Sequence, residues 1–300
     1  QLGLGDTKWR GSLPSEMGNA LPYVDLGSGR KAISVQAAHN RTCVLLDDHT
    51  MKCWGLAPGG GSRRGTLPGE MGDNLPIMKL GPGRTVAQLG VARYMVCALL
   101  DNQGLSCWDS LNEAAVVNLA GLGRPVQFAH LSGNVGVRFD DGTVRHVQYE
   151  GIGKPRFAGR VPLTNRARYI GGYETRSCAI LVSGATECWE HANSMSLDSP
   201  SPFSMREAAT FAHGESFRCV VGTDSIAACW GYGFAAGAPG PLPSSPITLV
   251  AGWDHVCALL VDDTVRCWGR AASSDPRYGG SSPGPTAADP WPAVDLGTRP

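Results

Sequence analysis

Ten cysteines fall into five pairs with nine residues between the members: Cys43/Cys53, Cys97/Cys107, Cys178/Cys188, Cys219/Cys229 and Cys257/Cys267. A thiol pair repeated at one spacing can form a disulfide, hold a metal, or pack as two free thiols. Structural zinc asks for Cys-x2–4-Cys knuckles or for cysteines with histidine nearby. No such knuckle occurs, and the seven histidines do not recur at one repeat position. Between the first two cysteines runs Val44-Leu45-Leu46, then the polar stretch Asp47-Asp48-His49, then Thr50-Met51-Lys52. Other copies place Asn102, Gly104, Gly142 and Gly184 in that stretch, so each pair brackets a hairpin turn. A hairpin symmetric about position 48 sets Cys43 opposite Cys53, and opposed Cα atoms of an antiparallel pair lie about 4.5–5.5 Å apart. Within-hairpin disulfides are therefore expected, with free core thiols as the next reading and zinc last. Each bridge should contribute slightly under ~3 kcal/mol, because it closes a short loop. Bridges at this density imply an oxidising compartment.

Other chemistry is sparse. No Gly-x-Ser-x-Gly elbow and no complete phosphate loop occurs; Gly153-Lys154 lacks the rest of that motif. The Asp pairs at 47/48, 140/141 and 262/263 recur inside the hairpin turns, which favours solvated turn residues over acid–base partners. His39, His213 and His255 stand at different offsets before cysteines and are expected at strand ends or in loops. No catalytic residue, metal ligand or cofactor is expected, and the chain is read as not an enzyme. Asn40-Arg41-Thr42 is the one glycosylation sequon, just ahead of the first hairpin.

The elements that carry these residues form a repeat. A Trp follows the second cysteine of every pair: Trp54, Trp108, Trp189, Trp230 and Trp268. At a fixed strand end these are expected to pack in the core, rather than form a sugar-stacking row. A sixth copy runs from Gly136 to Val147, with Gly136 and His146 in the two Cys positions. First-Cys positions, counting Gly136, advance by 54, 39, 42, 41 and 38 residues. Periods near 40–50 residues belong to propeller blades of four short strands. A loop motif repeats as well: Arg10 to Gly18 returns as Arg64 to Gly72, and Trp291 to Gly297 echoes the segment that follows it.

With 26 basic and 26 acidic residues the formal net charge is zero, which gives no electrostatic pull toward nucleic acid or an anionic membrane. No run of apolar residues is long enough for a membrane helix, at ~18 residues. Gly (40) and Pro (21) exceed ordinary usage, which points to many tight turns and short strands. The opening residues carry no charged-then-apolar leader, so the sequence is expected to be a mature form or an excised segment.

Three features together resemble the regulator of chromosome condensation repeat. They are the Gly-rich opening Gln1-Leu2-Gly3-Leu4-Gly5-Asp6-Thr7, strands of the Cys-Ala-Leu-Leu type, and the Trp-Gly pairs at 54, 230 and 268. The Cys pairs and the Glu-Met-Gly loops resemble a divergent, secreted branch of that family. The resemblance implies an all-β propeller, usually of seven blades; six hairpins are visible here. Residues 1–300 are expected to form one such domain, of six to seven blades. Members of the family include a nuclear exchange factor for a small GTPase and a secreted β-lactamase inhibitor, so the fold transfers and the activity does not.

The expected function is an extracellular or cell-surface protein-interaction or structural module that works with other proteins, neighbouring copies or other subunits, in an assembly. A secreted enzyme inhibitor, a glycan-binding propeller and an intracellular exchange factor are the alternatives. The expected contact surface is Trp9, Arg10, Arg63 and Arg64 in the two long loops, with Tyr232 and Phe234 in a Gly/Ala-rich one. The Pro/Gly-rich stretch from Gly279 to Pro292 would also suit packing against neighbouring chains.

Overall fold

The computed structural model describes residues 2–10, 13–38, 40–56, 63–92, 95–108, 115–117, 119, 121–131, 134–149, 155–173, 176–190, 208–214, 217–231, 234–252, 255–269 and 293–294. Among them the chain builds six antiparallel sheets, each from strands consecutive in sequence. The first holds β1 (Ala32–Ala38), β2 (Arg41–Leu46), β3 (Met51–Leu56) and β4 (Arg63–Arg64). The second holds β5 (Val86–Val91), β6 (Val96–Leu100), β7 (Leu105–Trp108) and β8 (Ala115–Val117). The third holds β9 (Pro125–Leu131), β10 (Asn134–Phe139), β11 (Val144–Tyr149) and β12 (Pro155–Arg160). The fourth has order β13 (Ala167–Tyr173), β14 (Arg176–Leu181), β15 (Thr186–Glu190). The fifth holds β16 (Ala208–His213), β17 (Phe217–Gly222), β18 (Ile226–Gly231) and β19 (Phe234–Pro241). The sixth holds β20 (Pro246–Ala251), β21 (His255–Leu260) and β22 (Val265–Gly269).

The chain divides into two compact units. One comprises Gln1–Thr7, Tyr23–Ser177 and Trp189–Leu197; the other comprises Lys8–Pro22, Cys178–Cys188 and Asp198–Pro300.

The strands that carry the first cysteine of the first two pairs are deeply buried. All five residues of β6, Val-Cys-Ala-Leu-Leu, are buried, and five of six in β2. A strand covered on both faces reads as a continuous apolar run rather than an alternation. Each hairpin closes through the same three-residue turn. Its third residue has positive φ: His49 (60°), Gln103 (65°), Gly142 (78°), Gly184 (85°), Ser225 (63°) and Asp263 (62°). Such a turn followed by a left-handed residue is a standard three-residue hairpin loop. The second turn residue then caps the loop. Asp48 Oδ1 accepts from the Thr50 backbone at 3.0 Å, and Asn102, Asp141, Asp224 and Asp262 do the same two residues on. These carboxylates are spent on turn geometry, so the Asp pairs are turn residues.

The first strand of a sheet also repeats a defect. The register slips by one residue at Ala32/Ser34, Val86/Gln88, Ala208/Thr210 and Pro246/Thr248, and opposite Pro125 in the third sheet. A bulge at one place in successive repeats bends each first strand alike. The echo near the C-terminus is structural too. Ala293 bridges Arg266 as Ile77 bridges Lys52, and Val294 donates to the Val265 carbonyl as Met78 donates to that of Met51, both at 2.9 Å.

Two expected loop positions are strands. Arg63 and Arg64 pair with Leu56 and Gly55 as β4, and a two-residue strand leaves no periodicity to read. Phe234 opens β19, whose Phe-Ala-Ala-Gly-Ala-Pro-Gly-Pro sequence reads as a loop. The strand tolerates its prolines because it is last in its sheet, and its register with β18 slips twice.

Candidate functional site

The repeated chemistry sits on the hairpins. Counting from the pair that closes the first turn, where Leu46 donates to the Thr50 carbonyl at 2.9 Å, hydrogen-bonded and open pairs alternate. Cys43 and Cys53 lie three pairs along, at an open pair, where the strands approach most closely. The same count holds from Leu100/Gly104, Leu181/Ala185 and Leu260/Thr264. All five Cys pairs are disulfides, Cys43–Cys53, Cys97–Cys107, Cys178–Cys188, Cys219–Cys229 and Cys257–Cys267. Their Cα separations are 4.0–4.1 Å, shorter than the spacing expected for an average opposed pair. The open pair is the near one, and a bridge draws it closer.

Side chains one residue apart point to opposite faces, so each bridge and the Trp after it face different neighbours. Cys43, Leu45, Met51 and Cys53 of the first sheet pack with Val96, Ala98, Leu100 and Trp108 of the second. Cys219, Val221, Ala227 and Cys229 of the fifth pack with Val256, Ala258, Leu260 and Trp268 of the sixth. There the indole Nε1 of Trp268 donates to Cys229 Sγ at 3.1 Å. The bridge of one sheet is thus roofed by the Trp of the next. Trp54, Trp108, Trp189 and Trp268 are all buried, as packing residues would be, and none offers a face to a sugar.

The third sheet breaks the chemistry and keeps the seat. Gly136 and His146 pair across β10 and β11 in the register of a Cys pair. Trp189 donates its indole N–H to His146 Nε2 at 2.6 Å. Indole is a donor only, so Nε2 must be unprotonated. Burial favours this, holding the imidazole below its ordinary value, at about 4. A Cβ on Gly136 would meet only Ile170 Cδ1, at 3.9 Å. Val147 replaces the Trp of this copy, and the Cys97–Cys107 bridge is instead packed by Phe128, Val135, Val137, Phe139 and Val147. The indole-to-imidazole bond was not legible in the sequence. Its one signal is that a polar, hydrogen-bonding residue fills the second Cys position while the first is glycine.

Neighbouring sheets are also stitched by amides. Gln88 donates to the Phe128 carbonyl and accepts from its N–H, both at 3.1 Å, and Gln127 treats Ile170 likewise at 2.9 and 3.1 Å. The long loops are organised by buried charge. Lys52 Nζ donates to the Leu26 and Gly72 carbonyls at 3.0 and 2.9 Å. Arg41 donates to the carbonyls of Leu56 and Ala92 at 3.1 and 3.4 Å, and burial lowers its pKa to about 10. Glu70 of the repeated loop accepts from the Thr66 and Leu67 N–H groups, both at 2.9 Å, and these bonds hold its carboxyl below the usual range.

Of the expected contact residues, Trp9 is 82% exposed, Arg10 and Arg64 are half-buried, and Arg63 is exposed. Tyr232 and the 279–292 stretch lie outside the described residues, as does the side chain of Phe234. Tyr23, which sequence reasoning passed over, is 84% exposed. Asn40 is exposed in the turn between β1 and β2, and Thr42 is half-buried. His213 ends β16 and His255 opens β21, while His39 lies outside the described residues. Among the described residues no helix is long and apolar enough to cross a membrane.

Residues 247–273 match the regulator of chromosome condensation (RCC1) repeat. No curated protein sequence matches the chain. Among solved structures the chain is similar to the CRINKLY WD40 ectodomain of the Arabidopsis thaliana receptor kinase ACR4, at 20% identity and a TM-score of 0.56, covering 81% of this chain and 80% of that one. Yeast RCC1 (Prp20), solved bound to Kap60, is similar at 17% identity and a TM-score of 0.64, covering 93% and 78%. The ectodomain of the Physcomitrella patens receptor kinase CR4 gives 20% identity and a TM-score of 0.56, covering 80% of this chain and 61% of that one. These likenesses and the six sheets make the fold a β-propeller, each sheet a blade, with one match to the RCC1 repeat over residues 247–273.

Proposed function

We propose that this RCC1-type β-propeller is a non-enzymatic interaction or structural module of an extracellular assembly, and that its partners are proteins. The observation that carries the reading is the use made of its reactive residues. Ten cysteines lock five hairpins, the repeated aspartates cap turns, Trp108 and Trp268 roof bridges, Trp189 roofs their histidine substitute, and Trp54 is buried under a long loop with Met71 and Leu75. What remains for contact are loops on rigid strands, where binding residues commonly sit. Trp9, on such a loop, is a large exposed aromatic of the type that anchors interfaces.

The setting follows from the bridges, which persist in oxidising compartments. Two similar structures are ectodomains of plant receptor kinases, and yeast RCC1 was solved with the protein Kap60 on it. A zero net charge supports proteins over nucleic acid as partners. A glycan-binding row is disfavoured, because the described tryptophans at the repeated position are buried.

The test is to isolate the protein from its source in the presence of an alkylating agent and to map its cysteines and Asn40 by mass. Five unlabelled bridges with a glycan on Asn40 are expected. Ten alkylated thiols would overturn the extracellular reading. Trp9→Ala should weaken binding of a co-purifying protein by about tenfold and leave the melting temperature unchanged, as truncation of an interface anchor does.

A further inference from the structure

We propose that Arg145, Arg160 and Arg166 of the third blade bind a tetrahedral oxyanion, a phosphate or sulfate group. Arg145 of β11 and Arg160 of β12 are directly opposed in the register of the blade. Their side chains leave the sheet on one face, at the spacing where like charges destabilise a strand pair. Other blades avoid this. Lys52 and Arg266 hold the place of Arg145 in the first and sixth blades, and Ile77 and Ala293 stand across from them. In the second blade Ser106 faces Val116. Among these four blades only the third sets arginine against arginine.

The pair lacks the compensation seen elsewhere. Lys52 is satisfied by the Leu26 and Gly72 carbonyls at 3.0 and 2.9 Å. Arg145 Nε, by contrast, is buried and has no hydrogen-bond partner. A buried charged donor left unbonded bears its full desolvation cost, which an anion's oxygen would offset. Arg166 stands beside the same hairpin turn: a Cβ on Gly142 would lie 2.6 Å from Arg166 Cβ. The carboxyl of Asp141 in that turn is held below its usual value first by bonds from Thr143, and then by the charges of Arg160 and Arg166. Among the described residues none of the three arginines makes an ion pair. Arg160 and Arg166 are exposed and Arg145 is half-buried, so a ligand can approach from solvent. All four residues belong to one compact unit. Guanidinium forks suit multidentate oxyanions, and three of them from two strands and a link call for oxygens in more than one plane. That favours a tetrahedral group over a planar carboxylate. The site does not depend on the compartment in which the protein works.

The experiment titrates the whole folded protein with inorganic phosphate, sulfate or acetate, against chloride at matched ionic strength. Calorimetry reads the affinity, and the arginine Nε–H resonances read the place. Phosphate and sulfate should bind saturably and shift the Arg145 signal. Arg160→Gln should weaken binding at least about tenfold, the loss of one charged hydrogen-bonding partner. Arg84→Gln, at an exposed arginine of the second-blade link, should leave the affinity unchanged. Phenyl phosphate separates the sources: binding as tight as phosphate assigns the site to an esterified group on a larger molecule, and weaker binding assigns it to the free ion. Without oxyanion, Arg160→Gln should melt no lower than the parent protein, because a repulsion has been removed. A lower melting temperature would give Arg160 a structural role and overturn the proposal. Absence of saturable binding, acetate binding as tightly as phosphate, or full affinity in Arg160→Gln would overturn it too.

Discussion

The third and fifth blades present the same seat with different chemistry. The fifth offers the Cys219–Cys229 bridge, and Trp268 sets its indole N–H on Cys229 Sγ at 3.1 Å. The third offers Gly136 and His146, and Trp189 sets its indole N–H on His146 Nε2 at 2.6 Å. The first blade supplies a third case, since Trp108 is fully buried over Cys43–Cys53 and its Nε1 has no hydrogen-bond partner. The seat is therefore defined by shape, a flat indole filling the gap over one open cross-strand pair. An acceptor for its N–H is an addition that some blades make. What differs is how each blade can fail: a bridge opens by reduction, and an imidazole changes by taking up a proton.

The largest effect should come from removing the roof. Trp189→Ala and Trp268→Ala should each cost about 3–5 kcal/mol in chemical denaturation, the usual loss for a buried Trp. Similar costs would show that packing dominates both seats, and a markedly smaller loss at Trp189 would break the comparison.

Acid should separate the two blades. The folded pKa of His146 is depressed to about 4, so the folded state binds fewer protons there than the unfolded chain. The stability this group contributes is present above its unfolded value near 6.5 and is lost as pH falls from there toward 4. At pH 4.5 the loss should be about 2–3 kcal/mol relative to pH 7. The double variant G136C/H146C should form a sixth bridge, since Cβ at position 136 meets ordinary contact only. That variant should gain slightly under ~3 kcal/mol at pH 7 and lose this part of the acid sensitivity. Denaturant midpoints at the two pH values, with and without reductant, check both statements.

A smaller contrast lies in the turns. Gly142 has φ +78°, and a Cβ there would lie 2.6 Å from Arg166 Cβ and 3.3 Å from the Ala167 carbonyl oxygen. Asp263 occupies the same turn position of the sixth blade with a side chain already in place, at φ 62°. Gly142→Ala should destabilise by roughly 1–2 kcal/mol, while Asp263→Gly should gain up to about 1 kcal/mol by removing left-handed strain. Thermal melts of the two variants should move in opposite directions.

Much of this was legible because it is local. The nine-residue spacing around a turn implies an opposed pair, and the register Cys43–Cys53 is the one symmetry requires. Aspartates recurring in the turns read as turn residues for the same reason. Local signals fail where a strand is short or glycine-rich, as at Arg63–Arg64 and Phe234–Pro241, because neither periodicity nor side-chain type marks them.

Sequence alone, then, determined the hairpins, their bridges and the repeat period, since each depends on residues within one short stretch of chain. Tertiary structure decided what covers each bridge. Trp268 and Cys229 are 39 residues apart, and Trp189 and His146 are 43 apart. A contact across one repeat leaves no mark in the spacing of either partner. It depends on which face the pleat turns toward the next blade, and so did the substitution of an imidazole for a bridge.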